Sequence, residues 1–176
     1  NGSITLSPVS ADNMYYKETP VTATVTYEAC YQFDGWTGGT LTGTQVSKTF
    51  TVQNDAGIGA AISLNTTPAV KRSVNTVATF KAALTAMNPG DTVEVADGTY
   101  DLSSYTIARS GCSLKPIVIT AKNKGGVTLN GATALIFKDM KYVTLKGFTF
   151  KSTSIGSGIK LENCNRFRIT ENEFAY

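Results

Sequence analysis

Histidine is absent from the 176-residue chain. Its absence excludes Ser-His-Asp and Cys-His catalysis, the HExxH zinc site and any imidazole base supplied by this polypeptide. Cysteine is scarce, and Cys30, Cys112 and Cys164 lie far apart without a CxxC motif. The odd number predicts at least one unpaired thiol, and we interpret all three as small buried residues rather than as metal or redox groups. No apolar run approaches the ~20 residues of a membrane-spanning helix, so no span is predicted.

Charge is distributed unevenly along the chain. Residues 1–66 carry two Lys and five Asp or Glu, whereas the remaining residues carry 14 Lys or Arg and eight Asp or Glu. The change of sign predicts two modules with different partners, and the basic module is suited to contact a polyanion. Alternatively, these charges only lie on solvated strand faces, and the charge distribution by itself favours this second explanation.

Short β-strands are predicted for the first module. Hydrophobic and polar residues alternate in residues 3–6 and 21–25, and residues 50–52 give a further run rich in Thr and Val. Residues 31–39 place three aromatic side chains before two glycines, as in a strand that enters a turn. We interpret Trp36 there as a core residue rather than as an exposed platform for a sugar ring.

This first module resembles the internalin-B-like repeat of bacterial surface proteins. Cys30 replaces the glycine that commonly precedes the tyrosine of that repeat, and residues 60–62 match its ending loosely. The resemblance covers roughly residues 1–64 and implies a β-rich spacer module, with 1–66 as its bounds and 67–69 as a linker. The motifs that carry it are Gly2-Ser3-Ile4, Pro20-Val21-Thr22-Ala23 and Tyr31-Gln32-Phe33-Asp34-Gly35-Trp36-Thr37-Gly38.

A short amphipathic helix and a repeat are predicted after the linker. Val77, Phe80, Leu84 and Met87 recur at helical spacing, and the turn at residues 88–90 ends the helix. Residues 135–150 then align with residues 159–174, and the strand-like segments 93–95 and 117–119 share the same offset of 24 residues. Apolar residues coincide at Leu135/Ile159, Phe137/Leu161, Val143/Phe167, Leu145/Ile169 and Phe150/Phe174.

This period is typical of a β-solenoid, in which stacked rungs bury their apolar sides. We therefore predict a right-handed parallel β-helix over residues 70–176. An open first rung would expose unpaired backbone and apolar side chains, so we expect the helix to cap it. The alignment places Val95, Ile119, Val143 and Phe167 in one interior column, with Thr144 and Arg168 pointing outward.

Six motifs follow one another in the second module. They are Phe80-Lys81-Ala82-Ala83-Leu84, Pro89-Gly90-Asp91-Thr92-Val93-Glu94-Val95, Asp97-Gly98-Thr99-Tyr100, Lys115-Pro116-Ile117-Val118-Ile119, Val127-Thr128-Leu129-Asn130-Gly131 and Tyr142-Val143-Thr144-Leu145-Lys146-Gly147-Phe148-Thr149-Phe150. This series resembles polysaccharide lyase family six, the alginate lyase and chondroitinase B type. The resemblance covers residues 70–176, and the order of its motifs is more specific for β-helical polysaccharide enzymes in general than for this one family.

The resemblance implies β-elimination on a uronic acid polymer. In this family a cation, typically calcium held by Asn and Glu oxygens, neutralises the uronate carboxylate so that a lysine can remove the C5 proton. An arginine or a nearby group then assists the leaving oxygen. These residues lie on later rungs in the family, so no catalytic residue and no metal ligand is assigned in this chain, and calcium is expected in the full-length enzyme.

Substrate contact is predicted at the outward bases Lys146, Arg166 and Arg168, with solubilising surface charge as the alternative. Residues 171–173 (Glu-Asn-Glu) have the residue types of a calcium site. They also fit the pattern that closes an ordinary rung, and we favour that interpretation.

Three functions remain open from the sequence. The first is a fragment of a secreted or cell-surface bacterial polysaccharide lyase that acts on an anionic polysaccharide, with neither nucleic acid nor a membrane span as a partner. The second is a carbohydrate-binding or adhesive surface protein on a β-helix scaffold. The third is a pectinase-like glycoside hydrolase, which would require an aspartate cluster on a later rung. We expect the 176 residues to continue into a further β-helix, and the chain alone to be inactive and prone to aggregate.

Overall fold

The computed structural model describes residues 2–12, 14–53, 57–131, 133–151 and 158–175. The chain forms two compact units, Asn1–Thr66 and Thr67–Tyr176. Among the described residues, no helix is long and apolar enough to cross a membrane.

The described residues of the smaller unit form five β-strands, β1 (Gly2–Ser7), β2 (Pro20–Tyr27), β3 (Tyr31–Thr37), β4 (Ser47–Thr51) and β5 (Gly59–Leu64). An antiparallel sheet has the order β1-β2-β4, and β3 pairs with β5 in a second antiparallel sheet. The strands predicted at residues 3–6, 21–25 and 31–37 are therefore present.

Trp36 belongs to the core of this unit, as predicted. Its side chain is 7% exposed and its ring lies edge-on to Phe33, with 5.3 Å between the ring centroids. The indole N–H donates to the carbonyl of Gln45 at 2.8 Å, which satisfies the polar atom that burial removes from water. Trp36 is thus a packing residue and does not offer an open face to a sugar.

The larger unit contains one helix and twelve strands among its described residues. These elements are β6 (Lys71–Val74), α1 (Val77–Thr85), β7 (Thr92–Val95), β8 (Gly98–Asp101), β9 (Tyr105–Ile107), β10 (Ile117–Ala121), β11 (Val127–Asn130), β12 (Thr133–Lys138), β13 (Lys141–Lys146), β14 (Phe148–Lys151), β15 (Gly158–Glu162), β16 (Asn165–Thr170) and β17 (Glu173–Ala175).

Three parallel sheets build this unit. The first has the order β16-β13-β10-β7-β6, the second β17-β14-β11-β8 and the third β15-β12-β9. After β7, every third strand returns to the same sheet one rung further along, so the fold is a parallel β-helix of about four turns. The predicted β-helix is confirmed.

The interior columns differ from the sequence alignment in the early rungs. Ile119 pairs with Val93, and Val95 pairs with Ala121, so the predicted column through Val95 and Ile119 is wrong. The five coincidences predicted for the last two rungs are all confirmed. The central columns of the first sheet run through Val93, Ile119, Leu145 and Ile169 and through Ile117, Val143 and Phe167.

Corners of unequal length cause this difference. Residues 108–116 separate β9 from β10 and residues 122–126 separate β10 from β11, whereas residue 147 alone separates β13 from β14. The early repeats of the first sheet are therefore two residues longer than the predicted 24. Because side chains alternate between the two faces of a strand, a shift of two changes the partner but keeps the inward face.

Helix α1 contributes to the interior at the start of the β-helix, as predicted. Phe80 and Leu84 are fully buried and Met87 is 1% exposed. The ring of Phe80 lies 5.9 Å from that of Tyr100 and 6.4 Å from that of Phe148, measured between centroids. The helix therefore covers apolar side chains that an open first rung would leave in water.

Asp91 fixes the chain around this cap. Its carboxylate is 1% exposed and accepts the N–H groups of Val70 at 2.7 Å and Asn88 at 2.9 Å, together with a hydrogen bond from the Arg72 guanidinium. Burial alone would raise the pKa of Asp91, but these donors outweigh it and lower the pKa below 3.8. Through these hydrogen bonds, the Asp91 carboxylate links the residue before β6, strand β6 itself and the turn that follows helix α1.

The cysteines divide into two kinds. Cys164 is a free thiol, as the odd count predicts, and it is half-buried, with its sulfur 3.3 Å from the carbonyl oxygen of Phe137. Cys30 and Cys112 are buried, at 2% and 5% exposed, as predicted.

Candidate functional site

The outward face of the first sheet carries the basic residues that the sequence singled out. On strands β13 and β16, Thr144 is in register with Arg168 and Lys146 is in register with Thr170. Lys146 and Arg168 are therefore diagonal neighbours on one face, because Val143, Leu145 and their partners take the inward positions. The alternation of the strands thus brings these two cations together.

Arg166 is held by an aromatic ring on the preceding rung. Its guanidinium carbon lies 5.3 Å from the ring centroid of Tyr142, within the range of a cation–π contact. Both residues have left-handed backbones, with φ of 51° at Arg166 and 54° at Tyr142. Residues other than Gly, Asn and Asp rarely adopt this backbone conformation.

Lys146 differs from the two arginines because it has an acidic partner. Its Nζ lies 3.3 Å from Oε1 of Glu171, and both side chains are nearly half exposed. Such a surface pair contributes at most about 1 kcal/mol to stability. It nevertheless places a carboxylate beside the cation and lowers the positive potential that Lys146 presents to a polyanion.

Residues 171–173 are all engaged in contacts between rungs. Glu171 pairs with Lys146, and a carboxylate oxygen of Glu173 lies 3.5 Å from the hydroxyl of Thr149. The side chain of Asn172 accepts the N–H of Phe148 and donates to the carbonyl of Leu145, each at 2.9 Å. These three side chains do not converge on one point, so their contacts favour the rung-closing role over a cation site.

The described residues do not assemble a metal centre. No three side chains of Asp, Glu, Cys or His converge within the described part of the chain. Glu162 is paired with Lys160 at 2.7 Å, and the hydrogen bond and charge of that lysine lower the pKa of Glu162. Glu162 is therefore already paired with a cation of the chain itself.

The 24-residue alignment also pairs the polar turn residues Asp139 and Asn163, whose side chains are joined by a 2.7 Å hydrogen bond. Sequence reasoning missed the contact between Tyr142 and Arg166, which occupy equivalent positions of the same two rungs. Extending the alignment to these two residues would have found it.

Residues 74–176 match the family model of chondroitinase B. The chain belongs to the chondroitinase B family. The match covers the capped β-helix from the end of β6 onward, and it includes the strands that carry Lys146, Arg166 and Arg168. It does not include the smaller unit.

Solved structures of alginate lyases share the fold. An alginate lyase from Paenibacillus sp. str. FPU-7 has a TM-score of 0.51 and 22% identity, over 60% of this chain and 36% of its own. A variant of the PL6 family alginate lyase AlyGC has a TM-score of 0.51 and 22% identity, over 59% of this chain and 15% of its own. At this identity the likeness shows the fold, a parallel β-helix.

The match spans only part of these lyases. It covers 36% of the Paenibacillus enzyme and 15% of the AlyGC variant, so most of either enzyme lies outside the aligned region. No curated protein matches the chain.

Proposed function

We propose that this chain supplies the capped first rungs of a polysaccharide lyase that cleaves a uronic acid polymer, of alginate or of chondroitin and dermatan type, by β-elimination. The observation that carries the proposal is the chondroitinase B match over residues 74–176, on a chain that folds as a parallel β-helix. The names of the two solved structures described above, both alginate lyases, support an anionic polysaccharide as the substrate.

β-Elimination needs several chemical groups, which different parts of such an enzyme supply. The C5 proton becomes acidic only when the adjacent carboxylate is neutralised, and a base must then remove it while an acid assists the leaving oxygen. A calcium ion, expected in the full-length enzyme, would supply the neutralising charge. In this family the cation ligands and the lysine base lie on later rungs, so we place catalysis on further rungs.

The last described rung supports such a continuation. Three side chains of its inward columns, Leu161, Ile169 and Phe174, are 42%, 40% and 52% exposed. Their equivalents one rung earlier, Phe137, Leu145 and Phe150, are at most 2% exposed. A further rung stacked on β15, β16 and β17 would remove this apolar surface from water.

The smaller unit and the cellular location belong to the same proposal. A β-rich module built on a Trp-containing core is consistent with an internalin-B-like spacer, which would hold the lyase away from its attachment point. We therefore propose that the protein is secreted or attached to a bacterial cell surface.

The test compares this chain with the product of the complete reading frame that encodes it. Both are incubated with alginate, with dermatan sulfate and with neutral dextran, in the presence of calcium, and the ultraviolet absorbance of unsaturated products is followed. We expect cleavage of one anionic polymer by the complete product and binding without cleavage by the 176-residue chain. A complete product that binds these polymers without cleaving them would contradict the proposal and favour a carbohydrate-binding scaffold.

A further inference from the structure

Arg166 and Arg168 differ from four other cations on the β-helix in having no acidic partner among the described residues. Among the described residues, both are exposed and neither forms an ion pair. The charge of each arginine is therefore available to a ligand. Four other cations of this unit are paired, namely Lys71 with Glu94, Arg72 with Asp91, Lys146 with Glu171 and Lys160 with Glu162.

Tyr142 holds one of these two guanidinium groups in a fixed plane. The contact of 5.3 Å places Arg166 over the ring face, which leaves the N–H groups at the edge of the guanidinium free to donate. The left-handed backbones of Tyr142 and Arg166 add a second observation. Glycine or asparagine would adopt that conformation with less strain, and strained positions are concentrated at functional sites.

The neighbouring strand positions complete a polar surface. Arg168 is the outward residue two positions after Arg166, and its partner across the strand pair is Thr144, which is half-buried. Thr170, also half-buried, follows on the same face. The surface thus offers two guanidinium groups flanked by hydroxyl groups, with no carboxylate in contact with either arginine among the described residues.

We propose that Arg166 and Arg168, with Tyr142 as the platform for Arg166, form a recognition site for the carboxylate of a uronate unit, in which Lys146 takes no part. The planar fork of an arginine matches a carboxylate in a bidentate contact, which a lysine cannot reproduce. The identity of the ligand as a uronic acid polymer rests on the proposed function. The site lies apart from any catalytic group, so it would hold the polymer rather than react with it.

The experiment measures the affinity of the 176-residue chain for an alginate oligosaccharide by titration calorimetry. We expect the double variant Arg166→Gln/Arg168→Gln to bind about tenfold more weakly, because two charge-assisted contacts are lost. Arg168→Lys keeps the charge but loses the fork, and we expect a loss of about threefold. Lys146→Gln should change the affinity by less than about twofold, because that charge is already paired.

Two further variants test the platform and the general effect of charge. Tyr142→Phe should retain the affinity because it keeps the ring, whereas Tyr142→Leu should weaken binding about threefold through the loss of the cation–π contact. Lys138→Gln, an exposed cation on the outer side of the third sheet, is the matched control and should leave the affinity unchanged. Circular dichroism of each variant establishes that the fold is retained.

A carboxyl-reduced oligosaccharide separates recognition of the carboxylate from general sugar binding, and we expect it not to bind. Binding of that neutral ligand, equal losses for Lys138→Gln and the arginine variants, or equally tight binding of single-stranded nucleic acid would overturn the inference. Cleavage by the complete product is measured separately. If cleavage is present and the double variant binds normally, only the inference fails; if binding depends on the arginines and cleavage is absent, only the proposed function fails.

Discussion

The side-chain oxygen of Asn172 accepts the backbone N–H of Phe148, one rung earlier, at 2.9 Å. The amide of the same side chain donates to the carbonyl of Leu145 at 2.9 Å. Between these two groups lies Gly147, whose φ of 82° lets the chain turn from β13 into β14. Asn172 thus replaces the strand hydrogen bonds that the corner interrupts and fastens the last described rung to its neighbour.

Replacement of Asn172 by alanine should destabilise the β-helix. The change leaves a backbone donor and a backbone acceptor without partners at a half-buried corner, and we expect a loss of about 1–3 kcal/mol in the free energy of unfolding. Denaturant unfolding followed by circular dichroism measures it. Asn123→Ala is the control because Asn123 is exposed and contacts only the side chain of Asp97; equal losses for the two variants would contradict the role of Asn172.

Asp91→Ala should destabilise the region around helix α1 more than any other replacement of a charged residue. It removes the acceptor of two backbone N–H groups and the partner of Arg72, and we expect a loss of about 2–3 kcal/mol. Hydrogen exchange of the amides of Val70 and Asn88 localises the effect. Unchanged protection at these amides would contradict the assignment.

Asp91 also predicts how stability depends on pH. Because its pKa in the folded state lies below 3.8, its contribution is present above the unfolded pKa and is lost as the pH falls through the folded pKa. Wild-type protein should therefore lose stability on acidification below about pH 4, and Asp91→Asn should lose less over the same range. Thermal unfolding across this range measures the difference, with Glu28→Gln as an exposed carboxylate control.

Phe80→Ala should show how much the cap contributes. The side chain is fully buried and its ring contacts those of Tyr100 and Phe148, so we expect a loss of about 3–5 kcal/mol from lost burial and from the cavity left behind. The free energy of unfolding is measured in urea. Val9→Ala, at a residue 90% exposed, should change it by less than about 0.5 kcal/mol.

The open apolar columns of the last described rung should make the 176-residue chain self-associate. Exposed strand edges and apolar side chains favour pairing with other copies. We expect Leu161→Gln/Ile169→Thr/Phe174→Ser to shift the chain toward monomer in sedimentation velocity at matched concentrations. An unchanged distribution of species would show that association, if observed, uses another surface; Leu114→Gln, at an exposed residue outside this rung, is the control.

The repeating strands were predictable because burial imposes a period on the sequence. The alternation in Lys141–Lys146 and Asn165–Thr170 fixes which residues face inward, and the structure confirms those columns. The register of Val93 and Ile119 was not predictable in the same way. It depends on how many residues the corners contain, and polar corner residues carry no apolar pattern that would reveal their length.

The contacts at the candidate site were predictable only in part. The outward position of Arg168 follows from strand alternation, and the structure places it opposite Thr144. The pairing of Lys146 with Glu171 depends on side-chain geometry across a corner, and sequence spacing does not distinguish it from an unpaired lysine. The role of Asp91 was missed for a similar reason, because its partners Val70 and Asn88 offer only backbone N–H groups, which every residue carries.

The corner at residues 122–126 gives this β-helix a practical use. The strands on either side of it keep their register although this corner is longer than the single residue between β13 and β14. The number of residues in this corner therefore does not change how the strands of the parallel β-helix stack. A short epitope or a fluorescent reporter grafted between Lys124 and Gly125 would be displayed at this corner, next to the hydrogen bond that the Gly125 N–H donates to the carbonyl of Gly147.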